Sequence, residues 1–230
     1  MTLARQERAI RTRRAILVAA AEVFDEVGYE AATISQILQK SGLTKGALYF
    51  HYPSKEALAQ AVLDAQVRAV PEVPARGLKL QELVDQALLL AHLLGTDPIV
   101  RGSIRLTVDQ GSAKDGLDRR IPMSAWQDSN TVVLKLARDA GELLPDVDVD
   151  RLAKLLVGGF TGVQVLSKIM TDHADMTERV ADFMRHLMTS VAVPAVLVRL
   201  DFAPERAERV HREADAAAEQ DERVDAVRQE

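Results

Sequence analysis

The sequence lacks several features that would assign it to a functional class at once. Among its 230 residues there is no cysteine, which excludes disulfide bonds, thiolate metal sites and cysteine nucleophiles. This composition fits a reducing cytoplasm, where we expect the protein to work. No apolar run follows the basic N-terminal residues, so no signal peptide is predicted. The longest apolar stretches, such as residues 88–95, are far short of a membrane span, and no membrane partner is expected.

Motifs for catalysis and metal binding are missing too. The histidines are His51, His92, His173, His186 and His211, and none belongs to an HExxH motif. No nucleophile elbow, P-loop or GxGxxG motif is present. No group of His, Asp and Glu has the spacing of metal ligands. We therefore predict no catalytic residues, no metal and no cofactor.

Charge is distributed unevenly along the chain. The net charge of −5 argues by itself against a nucleic-acid-binding protein. However, residues 1–55 hold 8 Lys/Arg and 5 Asp/Glu, whereas residues 56–230 hold 21 and 29. A basic N-terminal part on an acidic body suggests that only the former meets phosphate. Residues 1–10 are predicted to be a basic arm, which is either a solvated tail or a phosphate and minor-groove contact.

Residues 33–56 predict two short helices joined by a tight turn. Thr33 and Gln36 fit a capping box that opens the first helix. Gly42 allows the positive φ that the turn needs, and Thr44 caps a second helix that ends near Phe50. This arrangement is typical of a helix-turn-helix, whose second helix enters the DNA major groove. Any two short packed helices imitate this pattern, so a helical pair without a DNA role stays open here.

Residues of the second helix have the chemistry of DNA contacts. Gly46 keeps the first turn slim, which lets the backbone approach DNA closely. Lys45, Tyr49 and His51 lie on this helix or just after it. Residues 53–56 then end one helix and cap the next.

The same stretch resembles the DNA-binding head of the TetR family of repressors. The matching residues are Thr33, Ile37, Gly42, Gly46, Tyr49, His51, Lys55, Glu56 and Leu58. Tyr52 stands where the family usually has phenylalanine. Residues 44–56, TKGALYFHYPSKE, more narrowly resemble the γ-butyrolactone autoregulator receptors of filamentous actinobacteria, the A-factor receptor group.

The resemblance implies an all-α, TetR-like fold with a helix-turn-helix head and a C-terminal helical bundle for ligand binding and dimerisation. The protein would be a homodimeric repressor on a pseudo-palindromic operator, released by a γ-butyrolactone or butenolide and controlling secondary metabolism. Phosphates would be contacted by Thr33, Thr44, Tyr49, His51 and Lys55, and bases would be approached by Lys45, Gly46 and Tyr49. A pseudo-receptor or drug-sensing repressor answering to antibiotics is the alternative, and a lactone-processing enzyme is a remote one.

The rest of the chain predicts helices only. A first helix over about residues 9–27 precedes the head, and later helices are predicted over residues 55–70, 78–95, 97–110, 123–142, 149–171, 176–193 and 195–200. A polar, glycine-bearing loop over residues 111–122 is predicted to be mobile. We divide the chain into a head (1–54), a connecting helix and linker (55–77), a ligand-binding and dimerisation domain (78–200) and a charged tail (201–230), which is either a solvated helix or disordered.

A ligand pocket between helices of the body is favoured by a few polar residues on apolar faces. Trp126, the only tryptophan, offers an N–H donor on a large apolar plate. Gln66 is polar on an otherwise apolar helix, and Thr161 and Gln164 share a helix face. The apolar wall is predicted to include Leu88, Ile104, Val133, Val157 and Phe160. A lone tryptophan is more often core, and Thr161 and Gln164 could bond backbone carbonyls or water.

The resemblance favours a pocket role for Trp126, because A-factor-type receptors carry a pocket tryptophan in the equivalent stretch, here Gly102, Arg105, Leu106 and Trp126. Residues 149–171 and 176–193 are too apolar for full exposure, and the resemblance places the corresponding helices in a four-helix dimer interface. The glycines of residues 158–162 either leave room for a ligand or allow close packing at that interface.

Overall fold

The computed structural model describes residues 2–108 and 116–228, and in these ranges the backbone forms eleven helices and no strand. The helices are α1 (Thr2–Ala31), α2 (Ile34–Ser41), α3 (Lys45–His51), α4 (Lys55–Ala69), α5 (Lys79–Thr96), α6 (Pro98–Val108), α7 (Arg120–Asp139), α8 (Val149–Thr171), α9 (Met176–Val191), α10 (Pro194–Leu197) and α11 (Arg206–Arg228). The all-α prediction is confirmed. In the predicted loop over residues 111–122, residues 111–115 lie outside the described ranges, and α7 already begins at Arg120.

The N-terminal residues differ from the prediction. Residues 2–10 are part of α1, so the predicted start of the first helix near residue 9 is wrong, while a contact of these basic residues with phosphate stays a prediction. The physical reason is local, since residues 2–27 contain neither glycine nor proline and are rich in Ala and Arg, which favour helix. Gly28, at φ 74° and ψ 171°, interrupts the helix near its end.

Residues 1–69 and 97–123 form the first of two compact units. Its core consists of fully buried apolar side chains from five helices, namely Ile16, Phe24, Ile37, Leu48, Leu58 and Leu106. Leu106 belongs to α6, which packs against both α1 and α4. The sequence-based division places residues 97–108 with the ligand-binding domain, whereas their contacts group them with the N-terminal helices.

Polar contacts tie α6 to its neighbours in the first unit. The Arg101 Nε lies 3.2 Å from an Asp25 carboxylate oxygen on α1. The Thr107 hydroxyl oxygen lies 3.4 Å from the Gln66 side-chain oxygen on α4. The Arg119 Nε donates to the Leu106 carbonyl at 2.8 Å, which attaches the start of the chain after the undescribed residues to the end of α6.

Residues 70–96 and 124–230 form the second unit. Within it α5 packs against α9 and α11, and α8 packs against α9. The buried Glu142 carboxylate accepts hydrogen bonds from the backbone N–H of Lys79 at 2.9 Å and of Leu80 at 2.8 Å. These two donors open α5 and have no partner inside the helix, so Glu142 satisfies the α5 N-terminus from a distant part of the chain.

The C-terminal tail is more structured than predicted. Residues 206–228 form α11, and Ala207, Val210 and Ala214 on it are buried. Because α11 packs against α5, the first half of the tail is neither disordered nor a freely solvated helix.

Among the described residues, one helix, α8, is long and apolar enough to cross a membrane, with a mean hydropathy of 1.3. Charged residues such as Asp150, Arg151 and Lys154 interrupt it, so it contains no uninterrupted apolar run of that length. A core helix of a soluble protein meets the same criteria of length and composition.

Candidate DNA-binding head and ligand-binding residues

The caps predicted for the two short helices of the head are present. The Gln36 backbone N–H donates to the Thr33 hydroxyl oxygen at 3.2 Å, and the Thr33 N–H donates to the Gln36 side-chain oxygen at 2.8 Å. Gly42 adopts φ 68° after α2, and the Ala47 N–H donates to the Thr44 hydroxyl oxygen at 3.3 Å. Each bond satisfies an N–H that a helix start leaves unpaired. The caps confirm the helix-turn-helix geometry.

The recognition helix α3 has one buried side chain, two partly buried residues (Ala47 and His51) and four exposed ones. Leu48 is fully buried in the core of the first unit. Lys45, Gly46 and Tyr49, the predicted base contacts, are exposed together on the other side. The Lys45 Nζ lies 5.8 Å from the centroid of the Tyr49 ring, so a cation and an aromatic side chain form one surface. This surface is suited to a DNA groove, which has a negative potential and exposes the edges of the flat bases.

Phe50 is a residue that sequence reasoning missed. Its side chain is 82% exposed at the end of α3, and its ring lies 5.1 Å from that of His51 in an edge-to-face arrangement. The signal was available in the sequence. Residue 50 follows the buried Leu48 by two positions and so lies about 200° around the helix. A single exposed apolar side chain is common on protein surfaces, so the interest of Phe50 lies in its position beside Tyr49 on the exposed side of α3.

Lys55 has contacts that favour a structural role. Its Nζ donates to the backbone carbonyls of Tyr29 at 2.8 Å and Ala32 at 3.0 Å, and it lies 4.4 Å from the centroid of the Tyr29 ring. These carbonyls end α1 just after the break at Gly28. The ammonium therefore stabilises the carbonyl end of a helix, where positive charge is favourable.

Tyr52, the departure from the usual phenylalanine, is almost completely buried. Its hydroxyl has no hydrogen-bond partner among the described residues. The Arg13 guanidinium lies 5.6 Å from the centroid of the ring. Burial raises the pKa of the Tyr52 phenol, an effect that the positive charge of Arg13 opposes. The Tyr52 hydroxyl is therefore a buried polar group that forms no hydrogen bond with any described residue.

The predicted ligand-binding residues divide between the two units. Gln66 and Ile104 belong to the first unit. Those in the second unit are Leu88, Trp126, Val133, Val157, Phe160, Thr161 and Gln164. Gln66 is buried, and its side-chain oxygen lies 3.4 Å from the Thr107 hydroxyl, whose single proton also has the Ser103 carbonyl as an acceptor at 2.8 Å.

Two predicted residues of the second unit are buried and keep a polar atom unpaired. Trp126 is 8% exposed and Gln164 is 4% exposed. Neither the Trp126 Nε1 nor the Gln164 Oε1 finds a hydrogen-bond partner in the described part of the chain. Thr161 differs from both, because its hydroxyl donates to the Val157 carbonyl at 2.8 Å. Of the three polar side chains, Trp126 and Gln164 are the ones left with hydrogen-bonding capacity for a ligand.

Two stretches of the chain match known families of bacterial regulators. Residues 16–62 match the bacterial regulatory proteins of the tetR family, and residues 78–194 match the tetracyclin repressor-like C-terminal domain. The chain belongs to the TetR family. Members are DNA-binding transcriptional regulators, so this TetR-family protein is a transcriptional repressor and not an enzyme.

Three similar proteins each match most of this TetR-family chain. The A-factor receptor protein of Streptomyces griseus is 41% identical over 226 residues, covering 94% of this chain and 80% of its own. The crystal structure of the TetR regulator TylP from Streptomyces fradiae is 62% identical with a TM-score of 0.84, covering 90% of this chain and 99% of its own. A crystal structure of a γ-butyrolactone receptor, an ArpA-like protein, is 30% identical with a TM-score of 0.67, covering 90% and 98%.

Proposed function

We propose that this TetR-family repressor is a homodimer that a γ-butyrolactone or butenolide signalling molecule releases from a pseudo-palindromic operator, and that it controls secondary metabolism. The observation that carries the ligand response is the pair of buried, unpaired polar atoms, Trp126 Nε1 and Gln164 Oε1. Buried polar atoms are almost always bonded, so two of them in one unit indicate a missing partner. The 41% identity to an A-factor receptor protein supports a lactone as that partner.

The chemistry of a lactone fits Trp126, whereas Gln164 Oε1 is an acceptor and requires a donor such as a hydroxyl group on the ligand. The lactone ring carries a carbonyl, which accepts the hydrogen bond that the Trp126 indole N–H offers. Its alkyl tail would lie against apolar side chains, for which Leu88, Val133, Val157 and Phe160 stay the predicted wall. An antibiotic with a carbonyl group would accept the same hydrogen bond from the Trp126 indole N–H. The gel shift described below therefore distinguishes the drug-sensing alternative from a lactone receptor.

DNA contact rests on the exposed side of α3. Lys45, Gly46 and Tyr49 approach bases, and Phe50 extends this surface at the end of the helix. Thr33, Thr44, Tyr49 and His51 contact phosphates, for which the starts of α2 and α3 add backbone N–H donors. We assign Lys55 a structural role in stabilising the end of α1, because its ammonium group already donates hydrogen bonds to backbone carbonyls there.

Dimerisation rests on an apolar stripe along α8. Its exposed apolar side chains are Leu155, Val165, Leu166, Ile169 and Met170. Gly158 and Gly162 are exposed in the same stripe, and their lack of side chains permits close approach of a second helix. Gln164 lies two residues from Leu166 and thus about 200° around the helix, on the opposite, buried side. One side of α8 therefore suits a second copy and the other suits the ligand.

Release requires a difference in affinity between two conformations. The lactone must bind the released form better than the DNA-bound form, and a tenfold loss of operator affinity needs about 1.4 kcal/mol of coupling per dimer. A dimer with shifted heads no longer matches half-sites about 34–36 Å apart, or a multiple of that distance.

The test is a gel shift on a palindromic operator of the autoregulatory type, titrated with synthetic γ-butyrolactones and butenolides. Release by a lactone supports the proposal. Trp126→Phe keeps the apolar plate and removes the N–H, so it should bind the operator normally and need more lactone. Lys45→Ala should lose operator affinity while lactone still changes the fluorescence of the single tryptophan.

Two other results would redirect the assignment. Operator binding that antibiotics release and lactones do not would establish the drug-sensing alternative. A Trp126→Phe protein released at the wild-type lactone dose would show that this indole N–H does not hold the ligand.

A further inference from the structure

A network of charged side chains joins α11 to the segment that follows α4. At its centre is Asp85 on α5, which is fully buried. Its carboxylate accepts hydrogen bonds from Arg76 Nε at 2.8 Å, from Arg206 Nη2 at 2.8 Å and from Gln81 Nε2 at 2.7 Å. Arg76 precedes α5, and Arg206 begins α11. One buried carboxylate thus binds two arginines that lie far apart in the sequence.

Two outer carboxylates complete the network. The Arg76 Nη2 lies 2.5 Å from a Glu213 oxygen on α11, and the Arg206 Nη1 lies 3.1 Å from an Asp201 oxygen. Gln81 also exchanges hydrogen bonds with the backbone of Asp201. Removing one partner of such a network leaves a buried charge uncompensated, which destabilises the folded protein.

The segment held by this network, residues 70–78, has no regular secondary structure. Pro71 and Pro74 carry no backbone N–H, so the segment has few donors to stabilise itself. Arg76 forms hydrogen bonds with three carboxylates. Its backbone N–H donates to a Glu82 oxygen at 2.7 Å, and its guanidinium reaches Asp85 on α5 and Glu213 on α11.

We infer that α11 is a strap that holds residues 70–78 in one arrangement and so stiffens the covalent connection between α4 and α5. The functional consequence of this inference rests on the proposed function. Residues 70–78 link the proposed DNA-binding helices to the proposed ligand-binding helices along the chain. These residues follow one of the three places where the chain passes between the two compact units. A loose segment there would have many conformations, and ordering it when the protein binds DNA would cost free energy. The strap lowers that cost.

The test compares two substitutions on α11 in the full-length protein. Glu213→Ala removes the contact to Arg76. Glu208→Ala is the matched control, because Glu208 is exposed on the same helix and its ion pair, to Arg212 at 3.9 Å, stays within α11. Amide hydrogen exchange of residues 72–78 is measured first. We expect roughly threefold to fivefold faster exchange in Glu213→Ala and wild-type exchange in the control.

Operator affinity without ligand is the second measurement. We expect Glu213→Ala to bind roughly threefold more weakly, with the control unchanged. Wild-type exchange in Glu213→Ala would overturn the strap, and faster exchange with wild-type affinity would overturn its role in DNA binding. Neither measurement uses a lactone, so failure of every lactone to release the wild-type protein would count against the proposed function alone.

Discussion

A Cβ atom on Gly102 of α6 would lie 2.2 Å from the carbonyl oxygen of Ala21 on α1, so these two helices touch backbone to backbone. The carbon atoms of the Ala21 backbone would be 2.6 Å away. No flexible side chain is available to move aside, because all three neighbours are main-chain atoms. Gly102 is therefore what allows α6 to lie on the helices of the head.

Replacing Gly102 with alanine should force α6 away from α1. Overpacking of this kind costs about 1–3 kcal/mol. We expect the free energy of unfolding, measured by urea denaturation, to fall by that amount and operator affinity to fall with it. Gly95→Ala on α5 is the control, since a Cβ there meets no described atom within 4 Å. Equal stability of the two variants would contradict the close crossing.

Gly46→Ala separates DNA contact from folding. A Cβ on Gly46 meets no atom within 4 Å among the described residues, so the free protein accommodates alanine. If the backbone approaches DNA here, the added methyl group should lower operator affinity about tenfold while the melting temperature does not fall. Wild-type affinity in a gel shift would show that DNA stays distant from this turn.

Phe50→Ala tests the exposed ring at the end of α3. The thymine methyl group is the apolar group of the major groove, and a buried methyl is worth about 0.8 kcal/mol, or about fourfold in affinity. We expect that replacing one operator thymine with deoxyuridine weakens the wild-type protein by this factor and leaves Phe50→Ala unaffected. Phe50→Leu, which keeps an apolar group, should behave like the wild type. Sensitivity of Phe50→Ala to the same base change would rule out the contact.

Tyr52→Phe should stabilise the head. The Tyr52 hydroxyl is buried and finds no partner in the described ranges, a situation that costs about 1–3 kcal/mol. Removing it should raise the free energy of unfolding by about 1 kcal/mol without changing operator affinity. Tyr49→Phe, at an exposed position, should change stability by less than about 0.5 kcal/mol. A destabilised Tyr52→Phe would mean that the hydroxyl has a partner after all.

Acidification should weaken the second unit through His92. Burial lowers the pKa of the His92 imidazole below its ordinary value of 6.5, and the His211 ring, 5.1 Å away on α11, lowers it further, while Glu208 opposes the shift. The unfolded chain then binds the proton more readily than the folded one. The stabilisation is complete above about pH 6.5 and is lost as the pH falls through the window below that value.

His92→Gln should therefore flatten the fall in unfolding free energy between about pH 7 and pH 5. His186→Gln, on the exposed side of α9, is the control and should keep the wild-type slope. The slope is read from urea denaturation at a series of pH values. An unchanged slope in His92→Gln would assign the pH dependence to other groups.

Much of the structure of the head could be predicted from interactions between residues that are close together in the sequence. The caps at Thr33 and Thr44 and the turn at Gly42 depend on residues at most four positions apart, so the sequence was sufficient to predict them. The bounds of α8 were also predicted correctly, because its apolar period is long and uninterrupted. The start of α1 was not, since a cluster of arginines suggested an arm although arginine also favours helix.

Contacts between distant residues could not be read from the sequence. Lys55 carries the charge of a phosphate ligand, yet its ammonium binds carbonyls at the end of α1. Gln66 has the chemistry of a ligand contact, yet its side-chain oxygen lies 3.4 Å from the Thr107 hydroxyl. Each side chain has several possible partners, and only the packing of the helices selects one.

By itself, the sequence determined an all-helical chain, a capped helix-turn-helix and membership of a family of repressors. Tertiary structure decided that α6 packs with the head, that α11 is bound to α5, and that Trp126 and Gln164, among the predicted ligand-binding residues, each keep a buried polar atom without a described partner. The physical reason is the distance along the chain over which each interaction acts. Helix propensity and capping act within a few residues, whereas burial and pairing of polar groups depend on which helix faces meet.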